Sequence, residues 1–159
     1  AYISLIRRGK EKLMTTINCP RIDQFLQFYN ALSGNNLQSL QQVYHPDVVF
    51  IDPVHEINSR SALQHYLAHG YQRLNYARFT PVSGLCQGER GFLSWQMRFS
   101  HPAFAKGQEI LVHGSTELAW QDGRICYHRD YYDLTEMVYQ HIPLLGWLTR
   151  QVKQKIAAS

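Results

Sequence analysis

The chain has 159 residues, of which 45% are hydrophobic and 18% charged, the balance of an ordinary soluble globular protein with room for one domain and a real core. Its formal net charge of +4 is mild, and the excess concentrates at the ends (Arg7, Arg8, Lys10, Lys12, then Arg150, Lys153, Lys155), which reads as charged tails and not as a nucleic-acid surface. No apolar run approaches the ~20 residues that a membrane span needs.

The start, AYISLIRRGKEKLMTT, puts its charges after its apolar residues and lacks a long apolar core, so it does not read as a secretory signal. Met14 looks like a natural beginning, which leaves residues 1–13 as an extension or a misplaced start. Cys19, Cys86 and Cys126 are odd in number and show no CxxC spacing. The expectation is therefore no disulfide framework and no zinc site, with Cys86 and Cys126 as small buried hydrophobes in a reducing, cytoplasmic setting.

Ile22, Phe25, Leu26, Tyr29 and Leu32 recur at helical spacing, with Pro20 at an early position and Gly34 as a stop. Asn36 can cap a second, short helix carrying Leu37, Leu40, Val43 and Tyr44. His45-Pro46-Asp47 reads as a turn and 48–52 as a strand. Ser59 or Ser61 caps a third helix with Leu63, Tyr66, Leu67 and Leu74 along one side. Strands follow over 77–83, 91–100, 108–120 and 124–132, and Gln121-Asp122-Gly123 signals a hairpin between the last two. Helices first and antiparallel strands after argue for an α+β domain with helices against one curved sheet. In the tail, Pro143 can open an amphipathic helix with Leu145, Leu148, Val152 and Ile156 in line.

Side chains alternate across a strand. Val48, Phe50 and Asp52 share one side of their strand, and Cys126, His128, Asp130 and Tyr132 share one side of the last. Trp95, Met97 and Phe99 form another inward set, as do Thr116 and Trp120. If these sides converge, apolar walls enclose a few polar groups, the description of a small-molecule site. A carboxylate and an imidazole in such surroundings can be tuned for proton transfer near neutral pH.

At this point the chain resembles the SnoaL-like branch of the nuclear transport factor 2-like superfamily. The resemblance covers roughly residues 22–132. It is carried by FYNALSGNNLQSLQQVYHPDVVFIDPVHEI, then a helix, then strands ending in DGRICYHRDYYD. The group includes ketosteroid isomerases, polyketide cyclases, scytalone dehydratase and limonene epoxide hydrolase, as well as non-enzymatic binding modules. It implies a cone-shaped α+β barrel: a strongly bent antiparallel sheet closed by three helices from the N-terminal half. On this chain that gives an extension over 1–19, the cone domain over 20–137 and a C-terminal amphipathic helical extension over 138–159. The resemblance puts Asp52, ahead of Pro53, in the place of the isomerases' general base. Their oxyanion-hole tyrosine falls near Phe28, with Tyr29 one residue off register, and their protonated aspartate near Ser115 or Thr116. Ketosteroid isomerisation itself is therefore not implied.

The expectation is a cofactor-independent acid/base enzyme of isomerase, cyclase, dehydratase or hydrolase type, acting on a small apolar molecule that bears a carbonyl or hydroxyl. Asp52, His128 and Asp130 are its catalytic candidates. Phe28, Tyr29, Phe50, His55, Trp95, Met97, Phe99, Thr116, Trp120 and Tyr132 are its ligand-contact candidates. The alternative is a non-catalytic ligand-binding or dimerisation module of the same fold, including a regulatory one whose basic tails touch nucleic acid or membrane. Each residue also has a plainer reading. Asp52 can cap the turn at Pro53, and His128 with Asp130 can be a buried polar pair that locks the sheet. Their His-x-Asp spacing is also half of an iron site, although no metal is expected here. A homodimer is expected as the superfamily's habit. The C-terminal helix is expected to pack on its own domain or across that dimer; its alternatives are a lid on the cone mouth or, given Trp147 and the basic residues, contact with an anionic membrane surface.

Overall fold

The computed structural model describes residues 16–158. The expectation for residues 1–13 lies outside them. Seven strands form one sheet: β1 (Thr16–Ile17), β2 (Tyr44–Ile51), β3 (Glu56–Ile57), β4 (Tyr76–Gln87), β5 (Arg90–Ser100), β6 (Ile110–Gln121) and β7 (Arg124–Tyr132). Five α-helices accompany them: α1 (Pro20–Ala31), α2 (Leu40–Val43), α3 (Arg60–Tyr71), α4 (Leu134–Met137) and α5 (Pro143–Ala157). The sheet order is β1-β4-β5-β6-β7-β2-β3. This is the expected α+β cone architecture, with two differences. The sheet is mixed, because β1 runs parallel to β4 and β2 runs parallel to β7. β2 also begins at Tyr44, so the His45-Pro46-Asp47 turn becomes an irregularity inside the strand, where the register with β7 shifts between Tyr44 and Val49.

Local chemistry explains most element ends. Pro20 occupies the first turn of α1, where a missing N–H costs nothing. Ser59, not Ser61, caps α3 by accepting the Ala62 N–H. Asp122 and Gly123 both take positive φ, +51° and +74°, in the tight β6–β7 hairpin. Ile22, Phe25, Leu26 and Tyr29 bury one face of α1 against the core, where they meet Leu93, Trp95 and Leu118.

The narrow end of the cone is solidly packed. Trp120 lies over Gly91, where a Cβ would come within 2.7 Å of the indole. The Arg21 guanidinium sits 4.4 Å from the Trp120 ring centroid. Nearby, Cys19 and Cys86 are joined in a disulfide. This overturns the expectation of unpaired cysteines and removes the basis for expecting a reducing compartment. The pairing of β1 with β4 carries Cys19, just ahead of α1, to the strand that holds Cys86. Cys126 alone is free, and it is half-buried. No described helix is long and apolar enough to cross a membrane.

β7 corrects the expected alternation. Ala119 pairs with Tyr127 but Trp120 pairs with Ile125, so Cys126 is the extra residue of a bulge. The inward residues are therefore Ile125, His128, Asp130 and Tyr132. On the outer face Glu117 and Arg129 are cross-strand neighbours as expected, but Glu117 ion-pairs with Arg90 at 3.8 Å and Arg129 stacks on Tyr131.

Candidate active site

At the wide end, α3 stands off the sheet and leaves a cavity of about 660 Å³, within the range of small-molecule sites. Phe79 of β4 and Trp95, Met97 and Phe99 of β5 form its sheet wall. Tyr66, Leu67 and Tyr71 of α3 form the opposite wall. Trp95 can lie flat there because Gly114 faces it: a Cβ would come within 2.2 Å of the indole. Two carboxylates, Asp52 and Asp130, line this cavity. The parallel pairing of β2 with β7 brings them together. Phe50 is opposite His128 and Ile51 opposite Arg129, so the next residues along the two strands are neighbours.

The two carboxylates are held differently. The Asp52 side chain is 2% exposed. Its Oδ1 accepts the backbone N–H groups of Val54 and His55, both at 2.7 Å, with His55 Nδ1 at 3.3 Å. Its Oδ2 accepts the Tyr66 hydroxyl at 2.5 Å. Asp52 therefore ties β2, the Pro53 turn and α3 together, and both its oxygens are engaged.

Asp130 is 20% exposed along its side chain. Its Oδ1 takes the Thr116 hydroxyl at 2.6 Å and His128 Nε2 at 2.9 Å. Its Oδ2 has no hydrogen-bond donor among the described residues. Behind it runs a buried chain. Tyr44 Oη lies 2.7 Å from His128 Nδ1, and Tyr29 Oη 2.6 Å from Tyr44 Oη. One proton arrangement satisfies every member: Tyr29 donates to Tyr44, Tyr44 to Nδ1, and Nε2–H to Asp130. Trp95 Nε1–H supports the other branch by donating to Thr116 Oγ1 at 2.8 Å. All donors point toward Asp130.

Burial pushes the Tyr29 and Tyr44 phenols well above their ordinary pKa. It also raises Tyr66, aided by its bond to Asp52, and Tyr132, aided by the charges of Asp52 and Asp130. Tyr71 is pushed up to about 12 by burial. All five stay protonated at neutral pH. Tyr71 and Tyr132 line the cavity, and their hydroxyls have no hydrogen-bond partner among the described residues, so they are donors open to a ligand.

Of the sequence candidates, Tyr29, Phe50, Asp52, His55, Trp95, Met97, Phe99, Asp130 and Tyr132 line the large cavity. His128 does not. It is 1% exposed and borders an inner void of about 20 Å³, together with Thr116. That void is room for about one water. Trp120 belongs to the narrow end, and Phe28 packs edge-on against Tyr29 and Tyr44. Strand alternation reports a face but not a depth, which accounts for His128, Thr116 and Trp120; Phe28 lies on α1 and was placed only by the family resemblance. The cavity residues of α3 and of the following turn, Tyr66, Tyr71, His69 and Arg73, were not singled out. Only Tyr66 carried a signal, as a polar-tipped member of the apolar side of α3. No cluster of three or more His, Cys, Asp or Glu side chains suited to a metal occurs among the described residues.

The sequence profile of the SnoaL-like domain matches residues 25–128. The chain belongs to the SnoaL-like domain family. No curated protein matches its sequence. Among solved structures it is similar to a hypothetical protein with a ketosteroid isomerase-like fold from Catenulispora acidiphila, in complex with trimethylamine. That match has a TM-score of 0.67 and 15% identity, covering 80% of this chain and 94% of the other. A candidate SnoaL-like polyketide cyclase from Jannaschia is similar at a TM-score of 0.63 and 13% identity, over 74% and 88% of the chains. So is TerC, co-crystallised with polyporic acid, at 0.63 and 18%, over 75% and 95%. At these identities the likeness establishes the nuclear transport factor 2-like fold of this SnoaL-like chain.

Proposed function

We propose that the protein is a cofactor-independent acid/base enzyme that moves a proton on a small, largely apolar molecule bearing a carbonyl or hydroxyl. The observation that carries this reading is the open Oδ2 of Asp130, backed by His128 and bordering a cavity with aromatic walls. Asp130 takes a proton from carbon beside the ligand's carbonyl. Tyr132, or Tyr71, donates a hydrogen bond to the carbonyl oxygen as negative charge grows there. The proton on Asp130 Oδ2 is then returned to another carbon or to the departing oxygen, which covers isomerase, cyclase and dehydratase outcomes. His128 is a positioning residue: it holds Oδ1 and leaves Oδ2 to react. Asp52, the position that the family resemblance makes the base, keeps the wall and the phenol of Tyr66 in place.

The saturation of Asp52 favours a second reading, a binding module in which the base position has become structural. One experiment separates the two. The protein is incubated in D2O with a panel of cyclic and aromatic ketones and 1,3-diketones, and carbon–deuterium exchange and product formation are followed by NMR. The enzyme reading expects at least one compound to exchange faster than in buffer, with no added cofactor. Compounds that bind the cavity, as shown by chemical-shift changes, but never exchange would establish the binding module.

A further inference from the structure

α5 is a helix with an apolar face turned away from the protein. It is seated on the turn Tyr139–His141, and the seat fixes its rotation. Gly146 is buried there, and a Cβ on it would fall 2.3 Å from the Gln140 carbonyl oxygen. Leu145 and Thr149 turn to the same inner side and are half-buried. With the helix set this way, Leu144, Trp147 and Leu148 lie on the side away from Gly146 at 3.6 residues per turn, and Val152 borders that side, seven residues on from Leu145. All four are exposed, Leu144 at 71% and Val152 at 57%. The sequence line through Leu148 and Val152 is thus widened by Leu144 and Trp147, with Leu145 at its inner edge.

The charge on this segment has one sign. No Asp or Glu follows Glu136 in the sequence, whereas Arg150, Lys153 and Lys155 lie in α5. Lys153 is 3.7 Å from Asp133. Arg150 and Lys155 have no carboxylate partner among the described residues. Lys155 falls on the apolar side near its C-terminal end, where a long stem can lie along apolar surface while its ammonium reaches out.

We propose that α5 docks the protein on an anionic lipid surface, with Leu144, Trp147, Leu148 and Val152 entering the headgroup–acyl boundary and Arg150 and Lys155 meeting lipid phosphates. An exposed apolar side, an aromatic at its edge and cations without acids are what an interfacial helix requires. A second copy of the same face is the poorer occupant, because pairing two such helices brings like charges together with no acid to neutralise them. The docking also bears on the cavity. Met137, which lines it, leads through the Tyr139–His141 turn directly into α5, so an apolar ligand dissolved in lipid would be close at hand. The surface argument itself does not depend on the proposed chemistry.

The test is flotation of the full chain with vesicles of phosphatidylcholine alone and of phosphatidylcholine with ~30% phosphatidylglycerol. Binding is expected to the anionic vesicles and to weaken on raising the salt. Arg150→Gln is expected to reduce it about fivefold, and Leu148→Glu by more than about tenfold. Both positions are exposed, and circular dichroism should show both variants folded. Absent binding, or equal binding to the two vesicle types, would overturn the proposal. So would a dimer in sedimentation equilibrium that Leu148→Glu dissociates, which would give the face to a second copy.

Discussion

Asp52, just past the end of β2, and Asp130, near the end of β7, border one cavity, and they differ in how many donors each has. Two backbone N–H groups, an imidazole and a phenol converge on Asp52. Asp130 receives a hydroxyl and an imidazole on one oxygen only. A carboxylate with donors on both oxygens is a structural tie, because taking up a proton would disturb bonds already made. A carboxylate held by one oxygen is positioned and still able to react. The proposed function therefore rests its choice of reactive acid on the hydrogen-bond count and not on residue type or position in the family pattern.

The largest stability effect falls on the saturated side. Asp52→Ala leaves the Tyr66 hydroxyl and two turn N–H groups without their acceptor, and about 3 kcal/mol should be lost. Differential scanning calorimetry would register this as a Tm fall of roughly 6–12 °C. A fall under about 2 °C would show that Asp52 ties nothing together. Tyr132→Phe tests the open side. It removes a donor that no protein group uses, so the Tm should hold while turnover of whichever panel compound reacts drops about 10²-fold. Unchanged turnover would transfer the donor role to Tyr71.

Two smaller effects sharpen the contrast along the relay. Tyr44→Phe strands both the Tyr29 hydroxyl and His128 Nδ1, for about 2 kcal/mol, whereas Tyr29→Phe removes only the terminal donor and should cost about half as much. Equal costs in chemical denaturation would contradict the order of the chain. The alkaline limb of stability is the gentlest probe. Tyr29, Tyr44, Tyr66 and Tyr132 all have folded pKa values raised above the unfolded 10. Their stabilisation is complete below pH 10 and is lost as pH rises toward the folded values, because the unfolded chain gives up phenolic protons first. Absorbance near 295 nm should therefore show these phenols ionising only together with unfolding.

Much of the fold was readable from particular residues. The spacing of Ile22, Phe25, Leu26 and Tyr29 marked α1, the Asp122-Gly123 pair marked the last hairpin, and Pro143 opened α5. The wall residues Phe50, Trp95, Met97 and Phe99 followed from alternation. What stayed hidden depends on long-range pairing. Nothing in the chain near Asp52 announces that β2 runs parallel to β7, and only that pairing sets Asp52 beside Asp130. The bulge at Cys126 is a misfit between two strands and leaves no mark in either one. The Cys19–Cys86 bond spans 67 positions and needed the β1–β4 contact to become visible. The depth of His128 required the neighbouring rings of Phe25, Tyr44 and Phe50 to be in place.

The most direct test pairs two isosteric variants, Asp130→Asn and Asp52→Asn, in the deuterium-exchange assay with the most reactive panel compound. Asparagine at 130 keeps an oxygen for Thr116 and His128 but cannot take the proton, so exchange should fall by about 10²–10⁴-fold while the Tm stays within a few degrees. Asparagine at 52 should lower the Tm and leave exchange within about tenfold of the parent. The opposite pattern, with exchange abolished at 52 and preserved at 130, would return the role of base to Asp52.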